Sequence, residues 1–346
     1  MLKDIMSEGE CRLLHSLIED AQNIVLCCHQ NPDGDALGSM LGMAEVLRSS
    51  GKDPLMVAPD QYPDSLQWMP NSEKIVRYDK RKDFVDTMLR IADLVFCLDF
   101  NDPQRTSDMA ASLVASPAKM VVIDHHPAAA TDSDAALRII RPNASSASEL
   151  VFRVVWQLGL FEQQGKHFAG PIYCGMMTDT GSFTYNSSDP DIYFIISQLL
   201  TKRINKDKIY RCVYHNFSEH RLRLVGYVLC HSLVVDDERH ASYFTLTRKD
   251  LRKFHFVKGD AEGLVNMPLQ MKGLRLSISL REDTDKDNLI WVSLRSVDQF
   301  PCNEMAAQYF NGGGHLNASG GRLYCSMDEA VNVVRQALVA FENKLK

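Results

Sequence analysis

Several features of membrane and secreted proteins are missing from this sequence of 346 residues. No apolar run approaches the roughly 20 residues that a membrane-spanning helix needs, and the N-terminus lacks the apolar stretch and cleavage site of a signal peptide. The nine cysteines are odd in number, scattered, and form no Cys-x-x-Cys motif, which predicts reduced thiols. These absences predict a cytoplasmic protein that makes no contact with a membrane.

A surplus of positive charge is missing as well. The chain has 38 basic and 44 acidic residues and a formal net charge of −6. From Ser232 to Lys346 the two signs balance at 15 each, so the excess acid lies in the preceding residues. A protein that holds long nucleic acids needs an extended basic surface. The charge therefore argues against long nucleic acid as a partner.

The first 190 residues alternate between strand and helix patterns, in a chain long enough for two domains. Helices are signalled by Ser7-x-x-Glu10 and Ser146-x-x-Glu149, which have the form of capping boxes. The predicted strands are short and continuously apolar: Ile24–Cys28, Leu55–Ala58, Leu94–Leu98, Met120–Ile123 and Leu137–Ile140. Such runs are typical of strands buried on both faces. Residues 1–190 therefore predict an α/β domain with a doubly wound parallel sheet.

The pattern changes after Pro190. Residues 191–231 predict helices that link two domains. From residue 232 onward the strands alternate instead, with Leu276 and Ile278 on one face and Ser277 and Ser279 on the other. Alternation of this kind predicts a half-exposed sheet, and hence a smaller α+β domain over residues 232–346.

Polar residues follow the predicted parallel strands. His29-Gln-Asn-Pro-Asp33-Gly-Asp35 follows the first strand, Asp99 follows another, Asp124-His125-His126 follows a third, and Asp179 is expected at a strand end in the same register. A single such aspartate is usually a turn residue or a helix cap. In open α/β sheets, however, the ligand crevice lies at the carboxyl ends of the strands. The four segments together therefore predict one site.

Charge predicts what that site holds. Its five carboxylates would repel one another, and burial would raise their pKa values: Asp33, Asp35, Asp99, Asp124 and Asp179. Two divalent cations would compensate. Histidine and carboxylate ligands without cysteine suit Mn²⁺ or Mg²⁺, and two such ions about 3.5–4 Å apart can clamp a phosphoryl group. Gly34 and Gly38 are expected to let the loop fold tightly around the first ion.

These motifs resemble a known family. His29-x-x-Pro-Asp-Gly-Asp35-Ala-x-Gly-Ser39, Asp99, Asp124-His125-His126 and Asp179 resemble the four signatures of the DHH phosphoesterases. The segment Asn311-Gly-Gly-Gly-His315-x-x-Ala318-x-Gly320-Gly321 resembles the signature of the DHH-associated substrate-binding domain. The chain is most similar to the nano-RNase (oligoribonuclease)/pAp-phosphatase group within this family.

The resemblance implies a role for each motif residue. One ion would be held by His29, Asp33 and Asp99, and the other by Asp35, Asp99, His125 and Asp179, with Asp99 bridging the two. Asp124 would orient a histidine, and His126 would donate to the phosphate or assist the leaving oxygen. In the second domain, Arg295 would contact a substrate phosphate or base. A phosphate would be cradled by Gly312, Gly313, Gly314 and His315.

The resemblance further implies hydrolysis of very short single-stranded RNA to nucleoside monophosphates, and removal of the 3′-phosphate of pAp, with two Mn²⁺ or Mg²⁺ ions. A cyclic or linear dinucleotide phosphodiesterase would use the same two domains. The glycine-rich signature disfavours an inorganic pyrophosphatase, and the balanced charge disfavours a long-strand exonuclease. A non-enzymatic nucleotide- or RNA-binding module would be expected to have lost metal ligands, yet all six are present. Substrate preference, native metal and oligomeric state stay open.

Overall fold

The computed structural model describes residues 2–128, 135–257 and 259–346. The chain divides into two compact units, residues 1–216 and residues 217–346, here called the N-terminal unit and the C-terminal unit. Each unit has its own six-stranded sheet. The helices of residues 191–231 divide between the two units. No helix among the described residues is long and apolar enough to cross a bilayer.

The sheet of the N-terminal unit confirms the predicted α/β fold. Its strands are β1 (Ile24–Cys27), β2 (Leu55–Ala58), β3 (Val76–Arg77), β4 (Leu94–Leu98), β5 (Lys119–Asp124) and β6 (Leu137–Ile140). They are all parallel, in the order β3-β2-β1-β4-β5-β6. This is a doubly wound order, and its connections reverse direction between β1 and β4, where such sheets bind ligands. Only the two-residue strand β3 was not predicted, because it is too short to show a pattern.

Helices cover both faces of this sheet. They are α1 (Glu8–Asp20), α2 (Gly34–Ser49), α3 (Lys82–Ile91), α4 (Ala110–Val114), α5 (Ala147–Gln157), α6 (Lys166–Asp179), α7 (Pro190–Thr201) and α8 (Lys206–Tyr214). Successive strand residues are buried on opposite faces, because side chains alternate along a strand. Leu26 and Phe96 pack with α2, α5 and α6, whereas Val25 and Val95 pack on the side of α3 and α4. This double burial explains the continuously apolar strands.

Glycines bring α2 and α6 unusually close together. A Cβ atom on Gly34 would lie 2.3 Å from the Thr178 hydroxyl, and one on Gly38 would lie 2.5 Å from the Pro171 carbonyl oxygen. Gly42, one further turn along α2, faces Ile172 in the same way. Both predicted loop glycines, Gly34 and Gly38, in fact lie within helix α2. Close helix packing, rather than a tight loop, therefore requires glycine there.

The C-terminal unit contains a mixed sheet, as the α+β prediction requires. Its strands are β7 (Leu233–Asp236), β8 (Ala241–Leu246), β9 (Leu276–Glu282), β10 (Ile290–Ser296), β11 (Gly313–Gly314) and β12 (Ala318–Leu323), in the order β11-β12-β10-β9-β8-β7. All neighbours are antiparallel except β8 and β9. The helices are α9 (Glu219–Tyr227), α10 (Arg248–Lys253), α11 (Cys302–Tyr309), α12 (Met327–Ala340) and α13 (Glu342–Leu345). Helices α11 and α12 cover the apolar face of β9 and β10.

Candidate metal centre and substrate-binding residues

The loop after β1 positions His29 and Asp33. Asp33 is the N-cap of α2, and its carboxylate accepts the backbone N–H groups of Asp35 and Ala36, each at 3.0 Å. The Nδ1 atom of His29 lies 2.7 Å from the carbonyl oxygen of Gln30. A carbonyl oxygen can only accept, so Nδ1 carries the proton and Nε2 of the neutral ring keeps a lone pair. The ring therefore presents Nε2 as a potential metal ligand.

Asp99 follows β4 directly and has a strained backbone. Its φ of 65° lies in the left-handed region, which costs a non-glycine residue on the order of 1 kcal/mol or more. The N–H of Asp99 donates to the carbonyl of Ile123 at 3.0 Å. The guanidinium of Arg105 donates to the carbonyl of Asp99 at 3.3 Å. These main-chain bonds hold the residue in place. The side chain is thereby directed into the crevice, where it is almost fully buried.

The two oxygens of Asp99 face different histidines. Oδ2 lies 3.2 Å from Nε2 of His29, and Oδ1 lies 3.5 Å from Nε2 of His125. Oδ1 is buried and has no hydrogen-bond partner among the described residues. A buried carboxylate oxygen without a partner is costly, and a cation would satisfy it. This orphaned oxygen, between two groups of potential ligands, fits a bridging metal ligand.

Asp35 lies at the N-terminus of a second helix. Its carboxylate accepts the backbone N–H groups of Ala147 at 2.6 Å and Ser148 at 2.8 Å, in the first turn of α5. The positive end of a helix favours a carboxylate there. Oδ2 also lies 4.0 Å from Nε2 of His125. Each carboxylate oxygen has a second lone pair, so Asp35 can accept these bonds and still ligate an ion.

Asp179 reaches the centre from a helix, not from a strand end as the sequence pattern indicated. It is the last residue of α6, and its Oδ2 lies 3.4 Å from Nε2 of His125. The glycine contacts described above place the end of α6 beside the start of α2. Asp179 and Asp35 therefore approach the same imidazole from two packed helices.

Two three-residue groups in the centre have the spacing of metal ligands. The potential ligand atoms of His29, Asp33 and Asp99 lie within 4.8 Å of one another, and so do those of Asp35, His125 and Asp179. A third group, Asp99, His125 and His126, overlaps both. These clusters of carboxylates and imidazoles suit divalent cations. The structure thus brings together all six predicted ligands.

Electrostatics in the metal-free chain also indicates missing positive charge. Burial opposes protonation of the histidines, but Asp99 outweighs it and raises the pKa of His29 to about 9 and that of His125 to about 11. Burial alone would raise the pKa of Asp99, yet the two histidines hold it well below its usual range. Burial and the neighbouring carboxylates raise the pKa of Asp35, and that of Asp179 to about 7. In the absence of metal, protons bound to these side chains therefore supply the positive charge that bound cations would provide.

Asp124 holds His126 rather than joining a ligand group. Its Oδ1 accepts the backbone N–H of His126 at 3.1 Å and lies 2.7 Å from Nδ1 of the same residue. Its Oδ2 accepts the side-chain amide of Asn101, which also donates to the carbonyl of Pro127 at 3.1 Å. Nε2 of His126 therefore points away from Asp124. Asn101 was not predicted from the sequence, and its position two residues after Asp99 was the only signal.

Comparison with known proteins agrees with this geometry. The family model "DHH family, N-terminal domain" matches residues 23–176, which include five of the six potential ligands. The chain belongs to the DHH family. Its two-domain α/β architecture is shared along the whole chain with an exopolyphosphatase-related protein from Bacteroides fragilis, a crystal structure with 46% identity over 99% of each chain and a TM-score of 0.95.

Two further relatives extend the comparison. A bifunctional oligoribonuclease and PAP phosphatase from Bacillus subtilis is 26% identical over 90% of this chain and 92% of its own. The crystal structure of RecJ from Thermus thermophilus in complex with Mn²⁺ has 12% identity, a TM-score of 0.52, and coverage of 99% of this chain and 55% of its own. The likeness to RecJ shows a shared fold. The predicted membership of the DHH family is confirmed.

The predicted substrate residues of this DHH-family chain lie in the C-terminal unit. Arg295 is half-buried on β10, opposite Ala318 of β12 and Ser277 of β9. His315 closes the turn between β11 and β12, where its N–H donates to the carbonyl of Ala318 at 2.8 Å. Nothing in the geometry tests whether these two side chains contact a substrate, so their roles stay predictions.

The three consecutive glycines allow strands to approach closely. A Cβ atom on Gly312 would lie 1.9 Å from the carbonyl oxygen of Gly320. Gly314 has a φ of +141°, and a Cβ atom there would lie 2.6 Å from the Ala318 carbonyl oxygen. The N–H of Gly312 already donates to the carbonyl of Ala306 at 3.1 Å. Gly313 lies opposite Gly320 in the antiparallel β11–β12 ladder, two residues before the hydrogen-bonded pair of His315 and Ala318, so its N–H faces β12. The predicted phosphate cradle therefore reduces to the N–H of Gly314 and the side chain of His315.

Proposed function

We propose that this chain is a two-metal phosphoesterase that hydrolyses very short single-stranded RNA to nucleoside monophosphates and also removes the 3′-phosphate of pAp. One observation carries the proposal: Asp99 belongs to the ligand group of His29 and Asp33, and its buried Oδ1 also lies 3.5 Å from His125, which belongs to the group of Asp35 and Asp179. A carboxylate between two ligand groups is characteristic of two-metal phosphoryl chemistry. The Bacillus subtilis relative, which matches along nearly the whole chain, is named for both activities.

The cofactor is proposed to be two Mn²⁺ ions, with Mg²⁺ as the alternative. One ion would be held by His29, Asp33 and Asp99, and the other by Asp35, Asp99, His125 and Asp179. When bound, such ions polarise the phosphoryl oxygens and lower the pKa of the attacking water. The all-oxygen and imidazole ligand set, without cysteine, favours these metals over a structural zinc.

The remaining residues would position the substrate and move a proton. His126, held by Asp124 through Nδ1, is proposed to donate from Nε2 to the phosphate or to the leaving oxygen. Arg295 is proposed to bind a phosphate or base through its planar guanidinium. The N–H of Gly314, with the side chain of His315, is proposed to hold a second phosphate.

The proposal includes a limit on substrate length and a cytoplasmic location. Residues 232–346 carry 15 basic and 15 acidic residues, so long strands would gain little from the counterion release that long-strand binders exploit. The efficiency kcat/KM should therefore fall for RNA strands well beyond five nucleotides. A ladder of single-stranded RNA lengths at two salt concentrations tests this.

All nine cysteines are free thiols, which supports a reducing compartment and hence the proposed cytoplasmic location.

The decisive experiment compares substrates side by side. Dinucleotide RNA, pentanucleotide RNA, pAp, a cyclic dinucleotide and pyrophosphate are incubated with the full chain and Mn²⁺, and again after exhaustive dialysis against EDTA. Turnover of the first three substrates, lost with the chelator, is the expected result. Preferred turnover of the cyclic dinucleotide would instead support the phosphodiesterase alternative. Binding without any turnover would support a non-enzymatic module, and full turnover in EDTA would contradict the two-metal mechanism.

A further inference from the structure

On three strands of the C-terminal sheet, one face is made mostly of arginines and small residues, whereas on β8 the same face carries the buried Phe244 and Leu246. Strands β9, β10 and β12 each direct alternate residues away from the core, and we call these nine residues the arginine face. They are Ser277, Ser279, Arg281, Trp291, Ser293, Arg295, Ala318, Gly320 and Arg322. The intervening residues of β9 and β10, from Leu276 to Leu294, are buried in the apolar core. The arginine face contains no carboxylate.

Three large side chains form a row across this face. The strand register places Trp291 directly opposite Arg281 on β9 and Arg322 on β12. Neighbouring strands lie about 4.8 Å apart, so the two arginine backbones are about 10 Å apart with the indole between them. Trp291 is 38% exposed, and Arg322 is exposed. A flat aromatic ring thus lies between two cations at the surface.

The row is already ordered without a ligand. The indole N–H of Trp291 donates to Oδ2 of Asp283 at 2.7 Å, which fixes the ring. Asp283 also accepts the backbone N–H groups of Asp285 and Lys286, so that the loop after β9 holds it in place. The Arg281 guanidinium lies 5.4 Å from the centre of the Phe256 ring. Arg322 has no ion-pair partner among the described residues.

This chemistry matches one nucleotide of a single strand. A base stacks on an aromatic ring, and guanidinium groups bind the phosphates on either side of it. The small side chains of Ser293, Gly320 and Ala318 leave space along the sheet surface for a sugar–phosphate backbone. A protein partner would more commonly contact a mixed or apolar surface than three arginines whose neighbouring carboxylate, Asp283, is already bonded to the indole.

We propose that Arg281, Trp291 and Arg322 form a base-stacking subsite for one nucleotide of a short single strand. This inference rests on the proposed function and extends it. Trp291 lies four residues from Arg295 along β10, or about 13 Å. A dinucleotide held at Arg295 does not reach the subsite, whereas a strand of about five nucleotides does. The subsite therefore favours the longer of the short substrates.

The test measures binding without turnover. Fluorescein-labelled di- and pentanucleotide RNA are titrated with the full chain in EDTA, and anisotropy gives the Kd. Trp291→Ala should raise the Kd of the pentanucleotide at least about fivefold, since stacking contributes on the order of 1–3 kcal/mol per base, and leave the dinucleotide unchanged. Phe84→Ala, which removes an exposed ring of the N-terminal unit, is the matched control and should change neither Kd.

The arginines are tested with the same probes. Arg322→Ala should weaken binding of the pentanucleotide and reduce its salt dependence, because one phosphate contact is lost. Arg90→Ala removes the same charge from an exposed position of the N-terminal unit and should have no such effect. Arg322→Ala also keeps the inference testable if Trp291→Ala fails to fold.

Fluorescence gives a direct reading of stacking. Trp291 is the one exposed tryptophan of three, so the pentanucleotide should quench the emission of the wild-type chain but not of Trp291→Phe, which keeps an aromatic ring. Wild-type affinity of Trp291→Ala for both RNA lengths would overturn the inference even if the chain hydrolyses RNA. Weakened pentanucleotide binding would support it even if the chain hydrolyses none. A loss of self-association in Trp291→Ala, with RNA affinity unchanged, would assign the arginine face to contact with a second copy.

Discussion

The two units present polar residues in opposite ways. In the candidate metal centre of the N-terminal unit, side chains such as Asp35, Asp99 and Asp124 are buried. Backbone N–H groups hold the carboxylate of Asp35, an amide holds that of Asp124, and main-chain bonds hold the backbone of Asp99. On the arginine face, Arg322 and Trp291 are exposed, and Arg281 and Arg295 are half-exposed. Chemistry at a phosphorus atom needs fixed charges in a site of low dielectric constant. Binding an RNA strand does not require buried groups. Substitutions in the N-terminal unit should therefore lower kcat, whereas substitutions in the C-terminal unit should raise KM.

The largest effect is expected for Asp99→Asn. Asparagine tolerates the left-handed backbone of this position, so the substitution removes the charge without adding backbone strain. Because Asp99 would contact both ions, activity should fall by more than the roughly 10–100-fold that loss of an outer-sphere partner costs. Metal content is measured alongside activity, and Asp108→Asn, at an exposed position, serves as the control. A rate near that of the wild type would show that Asp99 does not bridge two ions.

Asp124→Asn should have the next largest effect, on kcat rather than on KM. The substitution removes the carboxylate that holds Nδ1 of His126, and a loss of about 10–100-fold is expected for such an orienting partner. Metal content should stay unchanged, since Asp124 belongs to neither ligand group. The double variant with His126→Ala should be no worse than His126→Ala alone. Additive losses would mean that Asp124 acts separately from His126.

A smaller effect, on binding alone, is expected for Arg295→Ala. Hydrogen bonds to a charged group contribute about 1.5–3 kcal/mol, so KM for the dinucleotide should rise about tenfold or more. Metal content and the pH dependence of kcat should match the wild type, because the predicted metal ligands all lie in the N-terminal unit. Arg90→Ala again controls for the lost charge. An unchanged KM would remove Arg295 from the substrate site.

The smallest effect concerns pH and the stability of the metal-free chain. His29 and His125 have pKa values of about 9 and 11, above the ordinary 6.5, and the pKa of Asp179 is raised to about 7. A raised pKa stabilises the fold below the unfolded-state value and loses that contribution as pH rises through the folded-state value. The Tm measured in EDTA should therefore fall between pH 6 and pH 9.

Added Mn²⁺ should reverse this trend. Metal binding displaces the same protons, so the increase in Tm with saturating Mn²⁺ should be larger at pH 9 than at pH 6. Differential scanning fluorimetry in paired samples measures both curves. In Asp99→Asn the carboxylate that holds both imidazolium protons is absent, and the pH dependence should be weaker. An increase in Tm that is the same at both pH values would contradict the proton displacement.

The sequence predicted best what local pattern determines. Continuous apolar runs predicted five of the six parallel strands. A strand that is buried on both faces needs apolar side chains at nearly every position, and such a run is visible in the sequence. The aspartates and histidines after those strands were predicted to converge, and the six ligands do lie together. The capping box at Ser7 and Glu10 forms as predicted. At Ser146 only half of the box forms, since the Glu149 carboxylate bonds Ser145 instead.

What the sequence could not predict depends on pairing between distant segments. Gly34 and Gly38 were assigned to a loop, but the reason for them is the backbone of α6, which no local pattern reveals. Asp179 was expected at a strand end. The apolar residues before it, Met176 and Met177, are equally compatible with a buried strand and with a buried helix. The row of Arg281, Trp291 and Arg322 depends on the register of three strands, and a shift of one residue would direct each side chain to the opposite face.

The glycine contact between α2 and α6 also constrains how the protein is made. It joins helices that more than a hundred residues of chain separate, and Asp35 and Asp179 meet only when those helices dock. On a ribosome, α6 emerges long after α2, so the metal centre cannot be complete while the intervening strands are still being synthesised. All six predicted ligands precede residue 217, however, where the second unit begins. Since domains generally fold as units during synthesis, metal could be acquired before the C-terminal unit has left the ribosome.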